Sequence, residues 1–166
     1  MKGRLLTDQV VVEEGRDANK LHTKRYFGEL EGGKLYLTLL EALYLVETEK
    51  LEVESEGQVL DFDRLLSLFL KDTEYMLKYK VYKDLRDKGL IVKTGFKYGC
   101  HFRVYRKGYE EHSEYLVHAI PEDARFSAYD IIKYVRLAHS VKKMVIFAFL
   151  DEEGDVTYNA LQHMKM

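Results

Sequence analysis

Tyrosine, histidine and lysine crowd the second half of this 166-residue chain, from Tyr98 and His101 through Tyr105, His112 and His118 to Lys142 and Lys143. Side chains of these types can move protons and stabilise charge without a cofactor. Histidine as a type titrates near neutrality, and an ammonium group neutralises a developing anion. A tyrosine base, with an ordinary pKa of about 10, has to be depressed by nearby cations or act by positioning. One reaction asks for no more than this set. RNA carries its own nucleophile, the 2′-hydroxyl, so an enzyme must take that proton, give another to the leaving 5′-oxygen and stabilise the phosphorane between them.

The signatures of other chemistries are missing. Gly32-Gly33-Lys34 is an isolated turn without the upstream glycine of a phosphate-binding loop, and neither a His-Glu-x-x-His helix nor a Gly-x-Ser-x-Gly elbow occurs. Pro121-Glu122-Asp123 lacks the further carboxylate and lysine of a metal-dependent nuclease, and a two-metal mechanism needs several convergent carboxylates. The single cysteine, Cys100, rules out an internal disulfide and a cysteine-cluster zinc site, and reads as a small buried hydrophobe. No metal or cofactor is therefore expected. No apolar run approaches the ~18 residues of a membrane span, and Met1-Lys2-Gly3-Arg4 leads into no signal-peptide core, so the expectation is a cytoplasmic protein with no membrane partner.

The net charge of −2 conceals a segregation. Between Glu41 and Asp63 eight acidic residues face Lys50 alone, a balance of −7. Between Lys78 and Tyr109 ten basic residues face Asp84 and Asp87, a balance of +8, interleaved with Tyr79, Tyr82, Tyr98, Tyr105 and Tyr109. Cations with aromatic rings between them suit phosphate contact and stacking on unpaired bases. Charge alone describes a solvated surface better than a binding one.

The elements that must hold these residues read as follows. Leu35 to Leu40 is an apolar stretch after the Gly32-Gly33 turn, and Leu39, Leu40, Leu43 and Val46 then take helical spacing. A short helix follows Asp61 or Asp63 as its cap, and a longer one is predicted from Thr73 to Lys88, with Leu77, Val81 and Leu85 inward and Gly89 as its stop. Ile91-Val92, Phe102 to Tyr105 and Tyr115 to Val117 are short strands. Ser127 with Asp130 opens a helix to about Ser140, with Ile131, Val135 and Ala138 inward. Met144 to Leu150 and Val156 to Leu161 are two further strands around an acidic turn. The expectation is an α-rich first half before a β-β-β-α-β-β second half, divided near Lys80.

Three segments then become specific. Phe102 to Gly108 (FRVYRKG), His112 to Val117 (HSEYLV) and Val135 to Lys143 (VRLAHSVKK) resemble, in order, the three catalytic blocks of the tRNA-intron endonucleases, the archaeal-type tRNA-splicing endonuclease family. Glu31 to Leu37 (EGGKLYL) with Glu41 to Leu45 (EALYL) resembles that family's leading domain, so the likeness spans nearly the whole chain. It implies an α/β protein: an N-terminal mixed α/β domain over residues 1–80, then a C-terminal nuclease domain over 81–166, with a small mixed sheet packed against helices.

The resemblance also implies roles. Tyr105 would be general base for the 2′-hydroxyl, His112 general acid and Lys143 the transition-state cation, with Lys142 the competing lysine. Arg136 matches one of the arginines that clamp a bulged base, and Arg103 and Lys107 join it as RNA-binding candidates. Asp151, Glu152, Glu153 and Asp155 match an acidic loop that joins dimers into tetramers. The substrate implied is precursor tRNA with a bulge-helix-bulge at its intron boundaries, cut to a 2′,3′-cyclic phosphate and a 5′-hydroxyl. Two cuts need two sites at fixed separation, which favours a symmetric assembly, and a homotetramer fits the resemblance. The competing readings are a noncatalytic subunit of such an assembly and a metal-dependent nuclease of related topology. His139 reads as a helix-end cap or packing residue, and Tyr115 and Tyr134 as core or interface.

Overall fold

The computed structural model describes residues 1–72, 74–106 and 115–166. The chain divides into two compact units, Met1–Tyr75 and Met76–Met166; the residue at which the sequence reading divides it, Lys80, lies five positions into the second.

The first unit holds strands β1 (Lys2–Leu5) and β2 (Gln9–Glu13), helix α1 (Arg16–Arg25), strands β3 (Glu29–Glu31) and β4 (Lys34–Thr38), helix α2 (Leu39–Glu47), strands β5 (Glu52–Ser55) and β6 (Gln58–Leu60), and helix α3 (Phe62–Ser67). Its six strands lie in the order β3-β4-β2-β1-β5-β6, with only β1 and β5 parallel. An α-rich first half is therefore corrected to a sheet carrying three helices. Gly32 and Gly33, both at positive φ, make the two-residue hairpin between β3 and β4. Alternation along β4 then buries Leu35 and Leu37 beside Val10 and Val12 of β2. Thr38 caps α2 by accepting from the Glu41 amide, and Asp61 caps α3 by accepting from that of Arg64. The buried Glu41 carboxylate accepts from the amide of Gly28 at 2.5 Å. Gly28 sits at φ 65°, where a Cβ would meet the Tyr36 carbonyl oxygen at 2.7 Å, so this close approach requires glycine.

Helix α4 (Tyr75–Asp87) leads into the second unit. It ends at Gly89, whose φ of 82° lets the chain reverse into β7 (Ile91–Thr94). A single 3₁₀ turn at Phe96–Tyr98 precedes β8 (Phe102–Tyr105); then come β9 (Tyr115–Pro121), α5 (Ala128–Ser140), β10 (Met144–Leu150) and β11 (Val156–Leu161). The sheet order is β11-β10-β9-β8-β7. Only β9 and β10 are parallel, and α5 is the crossover that parallel neighbours need. Ser127 and Asp130 close a complete capping box at its start. Val135 and Ala138 pack from α5 onto Leu116, Ile120, Val145 and Phe147 of the sheet, while Ile131 is half-buried. Cys100 lies in the same core, 3% exposed, and burial pushes its thiol up to about 11. No described helix is long and apolar enough to cross a membrane.

Candidate active site

Sheet register decides which residues meet. Val104 of β8 stands opposite Tyr115 of β9, and Tyr115 opposite Met144 of β10, so these three form one row across the sheet. Tyr105 follows Val104 at the end of β8, and Lys143 precedes Met144 at the start of β10. Each lies one residue beyond the row, at the same end of the sheet. Two strand spacings separate them, roughly 10 Å of backbone. Tyr105 also pairs with Ile91 of β7 and is only 7% exposed.

The end of α5 delivers Lys143 to this place. The Lys142 amide donates to the His139 carbonyl at 3.0 Å and the Lys143 amide to the Ala138 carbonyl at 2.8 Å, a Schellman closure with Lys142 left-handed at φ 57°. The helix stops and the next residue leads straight into β10. Lys142 is exposed and Lys143 half-buried. The Lys143 Nζ lies 5.5 Å from the centroid of the Tyr98 ring, a cation–π contact from the 3₁₀ turn. A cavity of about 470 Å³ adjoins Lys143, lined among others by Tyr115, Val135, His139, Leu161 and His163.

Tyr115 has a second neighbour. The Arg106 guanidinium donates to its hydroxyl and lies 5.2 Å from its ring centroid. Tyr115, expected in core or interface, is thus half-buried and lines the cavity beside Lys143. Tyr134 packs as expected, against Phe147, with its hydroxyl 3.2 Å from His118 Nε2.

The remaining candidates are dispersed. His112 and Lys107 lie outside the described residues. Arg103 is half-buried opposite Lys93 and Leu116, and its Nε donates to the Thr94 carbonyl at 2.8 Å. Arg136 is exposed on α5, one turn before His139. The His139 ring stacks on that of His163, centroids 4.2 Å apart. The acidic residues form the hairpin tip between β10 and β11, where Gly154 takes φ 87°. Asp151 accepts from the Asp155 amide at 2.9 Å, whereas Glu152, Glu153 and Asp155 are exposed.

Farther along β9, His118 stacks on His101 at 3.9 Å, and the Ala119 amide donates to His101 Nδ1 at 3.0 Å. Burial, with the charge of Lys78 added, lowers the His118 imidazole to about 4. Among the described residues no three His, Cys, Asp or Glu side chains converge as a metal would require. Sequence reasoning did not find the association of Tyr98 with Lys143, or His163. Tyr98 belonged to a general stacking set, and nothing in the spacing of His163 marks it.

Residues 75–158 match the family described as tRNA intron endonuclease, catalytic C-terminal domain, and residues 1–66 match tRNA intron endonuclease, N-terminal domain. The tRNA-splicing endonuclease of Thermococcus onnurineus is 47% identical over 163 residues, covering 98% of this chain and 95% of that protein. That of Thermococcus kodakarensis is 48% identical over 159 residues, covering 95% of each. That of Methanothermobacter thermautotrophicus is 41% identical over 161 residues, covering 95% of this chain and 94% of that protein.

Proposed function

The chain belongs to the tRNA intron endonuclease family, and from that premise we propose that it removes introns from precursor tRNA by 2′-hydroxyl attack at bulge-helix-bulge junctions. It is a tRNA-splicing endonuclease. In this reading Tyr105 orients or deprotonates the 2′-hydroxyl, His112 protonates the leaving 5′-oxygen, and Lys143 stabilises the phosphorane. The products are a 2′,3′-cyclic phosphate and a 5′-hydroxyl, and no metal takes part in the chemistry.

The observation that carries the reading is the common sheet end at which Tyr105 leaves β8 and Lys143 enters β10. In-line displacement sets the base at the 2′-oxygen opposite the acid at the leaving 5′-oxygen, with the cation beside a non-bridging oxygen, and two strand spacings leave room for one phosphate between Tyr105 and Lys143. Burial of Tyr105 limits its contact with RNA to a small part of its surface, which favours positioning. Arg136, Arg103 and Lys107 contribute RNA contacts. The assembly is a homotetramer held by the acidic tip Asp151 to Asp155, acting in the cytoplasm.

Purified protein incubated with a minimal bulge-helix-bulge RNA tests the chemistry directly. Cyclic phosphate and 5′-hydroxyl ends at both junctions are expected. Ends with a 5′-phosphate would refute the mechanism.

A further inference from the structure

The closure after α5 fixes the backbone of Lys143 but not its ammonium, which ends a flexible stem. A transition-state cation acts best when it is in place before the charge develops. A carboxylate could hold it, but would neutralise the charge and compete with the phosphate. An aromatic face attracts an ammonium group and carries no net charge of its own.

Tyr98 offers such a face: the Lys143 Nζ lies 5.5 Å from its ring centroid. The Nζ of the exposed Lys97 lies 5.9 Å from the same centroid, so two ammonium groups gather at one ring. The ring is itself anchored. In the 3₁₀ turn the Tyr98 amide donates to the Gly95 carbonyl at 2.8 Å, and the Gly99 amide to that of Phe96 at 3.1 Å. A Cβ at Gly95 would stand 2.7 Å from the Cys100 carbonyl oxygen, and Gly99 takes φ 69°, so the turn requires glycine at both ends. Tyr98 is half-buried and packs on the core cluster of Cys100, Leu116, Ala138 and Val145. Val141, two residues before Lys143, packs on that cluster too, so ring and lysine are referred to one core.

We propose that Tyr98 is a positioning residue for cleavage, its ring face holding the Lys143 ammonium where the phosphorane forms while leaving the charge of the lysine unneutralised. The inference rests on the reading that Lys143 is the transition-state cation. Tyr98 acts through that lysine, by its ring and not by its hydroxyl.

The test measures single-turnover cleavage of a bulge-helix-bulge RNA by the full chain, with binding read on the same RNA carrying a 2′-deoxy nucleotide at the cleaved position. Tyr98→Leu should cleave about 3- to 30-fold more slowly and bind as wild type. Tyr98→Phe, which keeps the ring, should cleave at the wild-type rate. In the Lys143→Ala background Tyr98→Leu should slow cleavage no further, as a residue acting only through Lys143 requires. Phenylalanine with one, two or three ring fluorines at position 98 keeps the shape and weakens the negative face, so the rate should fall with each fluorine. That series carries the test alone if Tyr98→Leu fails to fold. A wild-type rate in Tyr98→Leu, an equal loss with and without Lys143, or a flat fluorine series overturns the proposal. If Lys143→Ala is slowed while the Tyr98 variants cleave as wild type, only the positioning role fails. If Lys143→Ala itself cleaves as wild type, the catalytic reading fails and the positioning role with it.

Discussion

The hydroxyl of Tyr158 on β11 donates to the carboxylate of Asp84 on α4 at 2.6 Å, across 74 residues of sequence. Lys88, the residue after α4, pairs with the same Asp84 oxygen at 2.6 Å and lies 5.7 Å from the Tyr158 ring centroid. Removing the hydroxyl in Tyr158→Phe should cost about 1.5–3 kcal/mol, as for a hydrogen bond to a charged group. Burial, then the bond to Asp84, pushes the phenol above the ordinary tyrosine range. A raised folded pKa means that this stability is present below the ordinary value of about 10 and is lost as pH rises through the folded one. Urea unfolding at pH 8 and pH 11 should show the gap between wild type and Tyr158→Phe narrowing.

A second pH dependence runs the other way. His118 is held near 4, so the unfolded chain binds its proton first as pH falls. Its contribution is complete above about 6.5 and is lost as pH falls toward 4. The groups facing it are His101, the Tyr134 hydroxyl and Lys78. Thermal unfolding at pH 7 and pH 5 should therefore show a lower Tm at pH 5, with a smaller drop in His118→Gln. An equal drop in both would assign the acid sensitivity elsewhere.

The proposed acid and cation have separable effects. His112→Ala and Lys143→Ala should each lose ~10²- to 10⁴-fold in single-turnover rate with little change in RNA affinity. Lys142→Ala should cleave nearly as wild type, consistent with the exposed, left-handed position of Lys142. A dead Lys142→Ala beside an active Lys143→Ala would reverse the choice.

Cleavage of a prefolded minimal RNA should continue in EDTA, and a 2′-deoxy substitution at the cleaved nucleotide should stop it. Both follow from a nucleophile supplied by the substrate. Loss of cleavage in EDTA, restored by Mg²⁺, would point to metal-assisted chemistry instead.

The exposed carboxylates of the β10–β11 tip give the proposed assembly its test. Converting Asp151, Glu152, Glu153 and Asp155 to their amides should turn tetramers into dimers, and rising salt should weaken the wild-type assembly. Light scattering at low micromolar concentration checks it. A neutralised protein that remains tetrameric would remove the tip from the interface.

Helices α2 to α5 were legible in their periodicity, and Asp61 and the Ser127–Asp130 box accept orphan amides where the sequence offers caps, whereas α1, whose Gly15 N-cap makes no side-chain bond, was not. Strands β8, β10 and β11 were legible as β-rich runs between turns. The first sheet was not. β1 reads Lys-Gly-Arg-Leu with one buried residue, and β3 is exposed along its whole length, so neither shows the alternation that marks a strand. At the site, the residue types and their order were visible in the chain. The row Val104–Tyr115–Met144 was not, because register arises from pairing between distant segments. The meeting of His139 with His163 has the same cause.

The parallel pairing of β9 with β10 also sets when the site comes into being. Tyr115 and Met144 become neighbours only after the intervening crossover, α5 included, has closed, and such long loop closures come late because their entropy is lost before the contacts form. The hairpin of β10 and β11 and the pair β7–β8 are local and need no such step. A nascent chain in which β9 and β10 have not yet paired therefore holds Tyr105 and Lys143 on separate pieces.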